Sequence, residues 1–172
     1  MSNVSKALLT VLIAAIACGG EKGNQSDTAA KAPPATAAAS APATTTADGA
    51  TVYQRCATCH QANGEGIPGT YPPLAGSEWV KASDPSAAIR VILHGLQGPV
   101  TIHGQTFSSA MPPFGTGVPM SDEEIAAVLT HERGSWGNAA PAVTAEMVAR
   151  QRAATASQQA MWTADQLKSL VK

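Results

Sequence analysis

The sequence has few large side chains for its length. Three tryptophans, two tyrosines and two phenylalanines are all the aromatic residues among 172, whereas alanine occurs 34 times. A core made from so few large side chains buries little apolar surface, because each buried methylene contributes only about 0.8 kcal/mol. A single domain of this length is therefore expected to fill part of its interior with something other than side chains.

An excess of charge of one sign is also missing. Eleven Lys and Arg residues face 12 Asp and Glu residues, which gives a net charge of −1 with no basic run. A protein dedicated to nucleic acids is disfavoured, since binding to phosphates needs a positive patch. The absence of a long apolar run argues against a membrane-spanning helix. A multi-domain enzyme, a membrane channel and a DNA-binding protein are therefore poor fits.

Residues 1–18 have the pattern of an export signal. One lysine precedes a run of weakly or strongly apolar residues at 7–17, in which Thr10 is the most polar, and Cys18-Gly19-Gly20 follows. Ala15-Ile16-Ala17-Cys18 also resembles the bacterial lipobox, in which the cysteine is diacylated and becomes the new amino terminus, although leucine is usual where Ala15 stands. We therefore expect an exported protein on the periplasmic face of a bacterial membrane, anchored through a lipid on Cys18. A plain signal peptide is the alternative.

Residues 19–47 are predicted to form a disordered tether. The stretch 28–50 contains 11 Ala, 5 Thr and 3 Pro, with no aromatic residue and no periodic apolar pattern. Such a segment cannot bury enough surface to offset its ordering entropy. A flexible chain of this length spans roughly 30 Å, which suits a domain held near a membrane.

Cys56-Ala57-Thr58-Cys59-His60 is the motif that carries chemistry. Cys-x-x-Cys-His is typical of c-type haem attachment, in which both thiols add to the haem vinyl groups and the histidine binds the iron. A structural zinc site needs four ligands, and Cys18 is the only other cysteine. A thioredoxin-like pair would need a βαβ setting that the flanking sequence lacks. We predict one covalent haem c per chain, and this haem would fill the interior.

Helices are predicted on both sides of the motif's loop. Residues 49–61 form the first helix, and a Gly- and Pro-rich loop at 64–73 separates it from a second helix at 77–81. Asp84 is expected to cap a third helix, with Pro85 at its first position.

A small hairpin and a last helix complete the predicted domain. Residues 98–107 alternate apolar and polar side chains around His103-Gly104, which favours a hairpin. Ser121 and Glu124 have the spacing of a capping box at the start of the last helix of the domain.

The order of these motifs resembles the class I cytochrome c family. Besides the Cys-x-x-Cys-His motif and the capped last helix, the matching segments are Tyr71-Pro72-Pro73-Leu74-Ala75-Gly76 and Ala110-Met111-Pro112-Pro113-Phe114. Over residues 48–138 the resemblance implies a small all-α fold around one covalent haem, with a short β-hairpin insertion. It implies an electron carrier that does no substrate chemistry. Such single-haem modules accompany bacterial periplasmic dehydrogenases or terminal reductases, so a dehydrogenase, a reductase or a terminal oxidase is the expected partner.

The second axial ligand is predicted to be Met111, with His60 as the first. Two prolines follow Met111 and stiffen the loop that would present its thioether. Met120 is the nearest rival, but it precedes Ser121 and lies five residues before Ile125, the spacing of a hydrophobic staple. A histidine or an open position remain alternatives, and an open position would indicate a haem enzyme or a gas sensor.

The resemblance also implies residues around the haem. The carbonyl of Pro72 would accept the N–H of His60, which fixes the ring and raises its basicity. Trp79 and Trp136 would donate their indole N–H groups to haem propionates, and Arg90 would form an ion pair with one propionate. Simple packing is the alternative for both tryptophans.

Two features depart from the minimal family pattern. His131 and Glu132 stand where a tyrosine and an apolar residue are usual, which predicts weaker packing of the last helix on the first, or an exposed edge. The capping patterns at Thr144 and Thr163 predict that residues 139–172 form a helical extension. We expect the extension to stabilise the domain, and a docking surface for a dehydrogenase subunit is the alternative.

Overall fold

A computed structural model describes residues 47–114 and 119–172 of the chain. The predicted signal, the lipidation site Cys18 and nearly all of the predicted tether lie outside the described residues. In order, the described elements are α1 Gly49–His60, α2 Glu78–Lys81, α3 Ser86–His94, β1 Leu96–Gln97, β2 Val100–Ile102, β3 Gln105–Phe107, α4 Asp122–Gly134, α5 Ala145–Ala154, β4 Trp162–Thr163, α6 Ala164–Leu167 and a 3-10 turn at Lys168–Leu170. The predicted mostly helical fold is confirmed.

Helix α1 begins at a well-formed N-cap. The Asp48 carboxylate accepts hydrogen bonds from the amides of Ala50 and Thr51, which satisfies two N–H groups that have no partner within the helix. The helix ends at Gln61, whose φ of 62° turns the chain away. The Cys-x-x-Cys-His motif therefore occupies the last turns of a helix with two defined ends.

Helices α1 and α4 cross closely and form the centre of the core. A Cβ at Gly49 would collide with the carbonyl oxygen of Ala127, so this crossing requires glycine. Ser121 and Glu124 form the predicted capping box at the start of α4. The buried apolar side chains around the crossing include Val52, Tyr53, Ile89, Leu93, Ile125, Val128 and Leu129.

The exposed edge predicted as an alternative at the end of α4 is wrong, whereas the weaker packing stays a prediction. The ring of His131 lies 5.4 Å from the ring of Tyr53 and 5.6 Å from that of Trp136. The imidazole is thus part of an aromatic cluster that joins α1 and α4. The neighbouring Glu132 is 5% exposed, so the edge is closed rather than open to solvent.

Helix α3 begins one residue later than predicted. Pro85, not Asp84, is the N-cap, with φ −74° and ψ 0°, and the first helical residue is Ser86. The Asp84 carboxylate still accepts hydrogen bonds from the amide and hydroxyl of Ser86. An acidic side chain two residues ahead of an amide forms this local turn readily, so it performs the capping from one position further out.

Two strand pairs complete the architecture. Strands β2 and β3 form the predicted hairpin, which turns at His103 and Gly104 with φ angles of 51° and 74°, as a tight primed turn requires. Strand β1 pairs in parallel with β4, with Leu96 opposite Trp162. The sequence did not predict this second pair, because its strands are very short and far apart along the chain.

The carboxy-terminal segment packs on the other helices. Helix α5 is capped by Thr144 and is joined to α4 by an Arg152–Asp122 ion pair at 2.8 Å. Leu167 of α6 is fully buried. No helix in the described part of the chain is long and apolar enough to cross a membrane.

Candidate functional site

A cavity of about 410 Å³ opens among α1, α3, α4 and the loops between them. Apolar side chains make up most of its walls. They include Leu74, Val80, Ile92, Leu96, Phe114 and Leu129. This is the space that the shortage of large side chains predicts.

The end of α1 places its motif on the cavity wall. Cys56, Cys59 and His60 all line the cavity, and both thiols are half-buried and free of any disulfide. Cys56 and Cys59 are three positions apart, which is close to one helical turn, so the two thiols lie on the same side of α1. Burial, with a smaller contribution from Glu132, raises the pKa of Cys56 to about 12. The thiol is therefore neutral in this wall.

His60 is oriented through one ring nitrogen. Its Nδ1 lies 2.9 Å from the carbonyl oxygen of Pro72, the contact that the resemblance implies. Burial lowers the pKa of His60, and the Pro72 contact opposes that shift only in part. In the neutral ring, Nδ1 then donates its hydrogen to Pro72 and Nε2 keeps a lone pair for a ligand.

Glycine makes the Pro72 contact possible. Gly66 has a φ of 66°, and a Cβ there would lie 2.6 Å from the Pro72 carbonyl oxygen. The amide of Gly66 donates to the carbonyl of His60, which folds the loop back over the end of α1. Any other residue would push the Pro72 carbonyl away from the imidazole.

Met111 also lines the cavity and is held by backbone hydrogen bonds. Its amide donates to the carbonyl of Leu96, and the Leu96 amide donates back to its carbonyl. Met120 lines the same cavity but is only 2% exposed and packs in the core with Ile125, as a staple requires. The structure therefore brings both methionines to the cavity and buries Met120 more deeply.

The structure separates the three side chains expected near haem propionates. Trp79 lines the cavity, whereas Trp136 and Arg90 do not. The ring of Trp136 lies 4.9 Å from that of Tyr53. The guanidinium of Arg90 donates to Gln151 and lies over the ring of Trp162.

The expectations for Arg90 and Trp136 therefore find no support. The extension supplies polar and aromatic partners for Arg90, and the aromatic cluster of α1 and α4 engages Trp136. Both partnerships join segments that are distant along the chain, so no local pattern could predict them.

Glu132 is the site residue that sequence reasoning missed. It lines the same cavity as Cys56 and His60, and burial raises its pKa to about 8. The signal was present, because Glu132 follows Val128 by four residues and Leu129 by three, which places it on the buried face of α4.

The donor set fits haem c. Two free thiols, an imidazole with one unoccupied nitrogen and a thioether meet on the walls of one apolar cavity, which are the side chains that attach and ligate a c-type haem. In the described residues, no group of three or more His, Cys, Asp or Glu side chains could hold a metal ion by itself. The zinc interpretation of the motif therefore lacks ligands here.

Comparison with known proteins agrees with this chemistry. The family model described as cytochrome c matches residues 46–131, which is half of the chain. A cytochrome c-552 from Thermus thermophilus is 46% identical over 96 residues, which cover 54% of this chain and 71% of that protein.

Larger proteins contain a similar segment. The cytochrome c subunit of a quinone alcohol dehydrogenase from Gluconacetobacter polyoxogenes is 38% identical over 111 residues, which cover 63% of this chain and 23% of that subunit. The cytochrome subunit of a fructose dehydrogenase from Gluconobacter japonicus is 36% identical over 115 residues, with 64% and 23% covered. This chain thus spans about a quarter of those subunits.

Proposed function

Because this chain belongs to the cytochrome c family and is an electron carrier with one covalent haem c, we propose that His60 and Met111 are its axial ligands and that a lipid on Cys18 tethers it to a membrane. The observation that carries the ligation is the convergence of the Cys56–Cys59 pair, His60 and Met111 on one apolar cavity. When bound, haem c supplies an iron that alternates between the ferric and ferrous states.

Different residues of the chain would attach the haem, orient its histidine ligand and ligate its iron. Cys56 and Cys59 bind the porphyrin through thioethers, and the Pro72 carbonyl holds the imidazole of His60 in the ligating tautomer. The thioether of Met111 would stabilise ferrous iron and so raise the reduction potential. We also propose that the indole of Trp79 donates to a propionate, since Trp79 lines the cavity.

The apolar walls have a separate effect. They would exclude water from a bound haem, and the low local dielectric would favour the less charged state of its iron. No side chain needs to act as an acid, base or nucleophile on a substrate.

Covalent attachment is tested by mass. Expressed together with a cytochrome c maturation system, the denatured chain is expected to retain the mass of one haem, because two thioether bonds survive unfolding. The variant with Cys56→Ser and Cys59→Ser is expected to retain none. A wild-type chain that is free of haem after denaturation would contradict the assignment.

The proposed domain organisation gives the carrier a tether. Residues 1–18 act as the export signal and residues 19–47 as the flexible connection to the haem domain at 48–138, with the extension at 139–172 packed on it. One acyl chain holds a protein only marginally, whereas a diacylglyceryl cysteine supplies at least two chains and holds it stably. A tether of roughly 30 Å raises the local concentration of partners in the same membrane.

Cys18→Ser is expected to release the protein into the soluble periplasmic fraction, with an unchanged haem spectrum and slower electron delivery to membrane partners. Fractionation and kinetics on membranes measure both effects. If the variant stays with the membrane through a high-salt wash, another part of the chain anchors it, and the lipid proposal is wrong.

We propose that the partners are other redox proteins of the periplasm or its membrane. The names of two relatives place them in alcohol and fructose dehydrogenases. A dehydrogenase is accordingly the proposed electron donor, and a reductase or a terminal oxidase the proposed acceptor.

A further inference from the structure

The cavity wall contains one carboxyl group, that of Glu132, which is not needed to attach or ligate the haem. Among the described residues, Glu132 is the only buried carboxyl, with 5% of its surface exposed. It lines the same cavity as Cys56 and His60. Among the residues that the structure describes, no hydrogen-bond donor reaches the Glu132 carboxyl. Its backbone carbonyl accepts a hydrogen bond from the side-chain amide of Asn138 at 2.7 Å.

Burial sets the protonation of this carboxyl. Desolvation raises the pKa of Glu132 to about 8, because a carboxylate without a partner is unfavourable in an apolar wall. The cation next to it in sequence does not compensate, since the guanidinium of Arg133 points elsewhere and donates to the carbonyls of Val80 and Ala82. Glu132 is therefore poised to gain or lose a proton near neutral pH.

The groups around Glu132 on α1 and α4 are few. On α1 they are Tyr53, Cys56 and Arg55, of which Cys56 becomes a thioether in the mature protein. Burial and then Glu132 raise the pKa of Tyr53, so the phenol is neutral at any physiological pH. His131, the preceding residue of α4, is directed into the aromatic cluster.

The other packed elements direct their charges away. On α2, Glu78 and Lys81 are exposed. Arg90 of α3 donates to Gln151, and Arg152 of α5 pairs with Asp122. His94 of α3 contacts the Thr155 hydroxyl. The propionates of a bound haem also titrate, and they are the competing explanation that the test must separate.

We propose that Glu132 binds a proton more tightly in the reduced protein than in the oxidised protein, so that electron transfer is accompanied by uptake and release of a proton. This rests on the proposed seating of haem c in the cavity. When an electron arrives from the donor, the Glu132 carboxylate takes a proton from water and forms an O–H bond. When the electron leaves for the acceptor, that bond breaks and the proton returns to water.

The physical cause is electrostatic. Ferrous iron carries one positive charge fewer than ferric iron, so a nearby carboxylate is less stabilised in the reduced protein and holds its proton more tightly. Exclusion of water lowers the local dielectric, which strengthens this coupling. Linkage is reciprocal, so protonation of Glu132 raises the reduction potential by the same free energy.

The test is a redox titration of the haem-loaded, full-length protein between about pH 5 and 9, a range that brackets the shifted carboxyl. The midpoint potential of the wild type is expected to be level in acid and to fall as the pH rises. Each tenfold difference in proton affinity between the two redox states lowers it by about 59 mV in total. Glu132→Gln keeps the shape of the side chain but cannot titrate, so a level profile is expected.

Two further measurements make the result specific. Glu123→Gln removes the same charge from an exposed position on the same helix and is expected to keep the wild-type slope. A redox-difference infrared spectrum of the wild type is expected to gain a protonated-carboxyl signal on reduction, which is absent from Glu132→Gln. Glu132→Leu, with an apolar side chain, is the second variant if the glutamine variant loads poorly.

The outcomes are distinguishable from failure of the proposed function. Retained haem mass and the methionine charge-transfer band are read on the same samples. Their loss in the wild type would overturn the proposed ligation, whatever the slope. With both intact, a level wild-type profile overturns the proton coupling, and so does a slope that persists in Glu132→Gln, which would assign the proton to a propionate.

Discussion

Met111→Ala is expected to abolish the weak charge-transfer band of methionine-ligated ferric haem and to lower the midpoint potential. In the proposed ligation the Met111 thioether would stabilise ferrous iron, and water or a stronger donor would take the vacated position. Axial ligands set haem potentials over a range of about 0.8 V, so a fall of about 0.1 V or more is expected. A visible spectrum of the ferric protein and a redox titration measure the two effects.

Met120→Ala is the matched control, because Met120 lines the same cavity and loses the same atoms. It is expected to lower the free energy of unfolding by about 2–5 kcal/mol, as a large-to-small change in the core does, and to leave the band in place. If Met120→Ala instead loses the band, Met120 is the ligand and the staple interpretation is wrong. A wild type without the band would favour the haem-enzyme or sensor alternative.

Gly95→Ala is expected to disturb the same ligand from outside the cavity. Gly95 has φ 79° and ψ 171°, a conformation reserved almost entirely for glycine. A Cβ there would lie 2.6 Å from the Met111 carbonyl oxygen and 3.0 Å from Cγ of Met161. We expect a loss of about 2–5 kcal/mol in the free energy of unfolding from backbone strain and overpacking together. On heating, we also expect the methionine band to disappear at a lower temperature than in the wild type.

Gly98→Ala separates strain from collision. Gly98 also has a positive φ, 75°, but a Cβ there meets nothing within 4 Å. This variant is expected to lose only about 1–2 kcal/mol from the left-handed backbone and to keep the wild-type band. Equal effects of both substitutions on the band would show that the contact between Gly95 and Met111 does not position the ligand.

The chemistry-bearing motif and the local structure were predictable because each depends on residues within a few positions. The Cys-x-x-Cys-His motif needs one helical turn, and the capping box of Ser121 and Glu124 needs only one helix start. The His103-Gly104 turn follows from which residues accept a positive φ. The Asp84 cap was displaced by one residue because a local side-chain turn competes with the helix start.

Longer-range partners could not be read from such patterns. Arg90 was expected at a propionate, but Gln151 of the extension takes its guanidinium. Trp136 packs against Tyr53, and strand β1 pairs with strand β4, which is distant from it along the chain. Each of these contacts depends on how two distant segments pack, and several arrangements are compatible with the same local signals.

The sequence by itself determined that this chain attaches haem c, since covalent attachment is specified by five consecutive residues. The tertiary structure decided what surrounds the attachment site. Helical spacing turns Glu132 inward with Val128 and Leu129. The local sequence does not show whether this buried face meets a cavity or packed side chains. A buried carboxyl faces a cavity instead of packed side chains only because α1, α3 and α4 meet around that space.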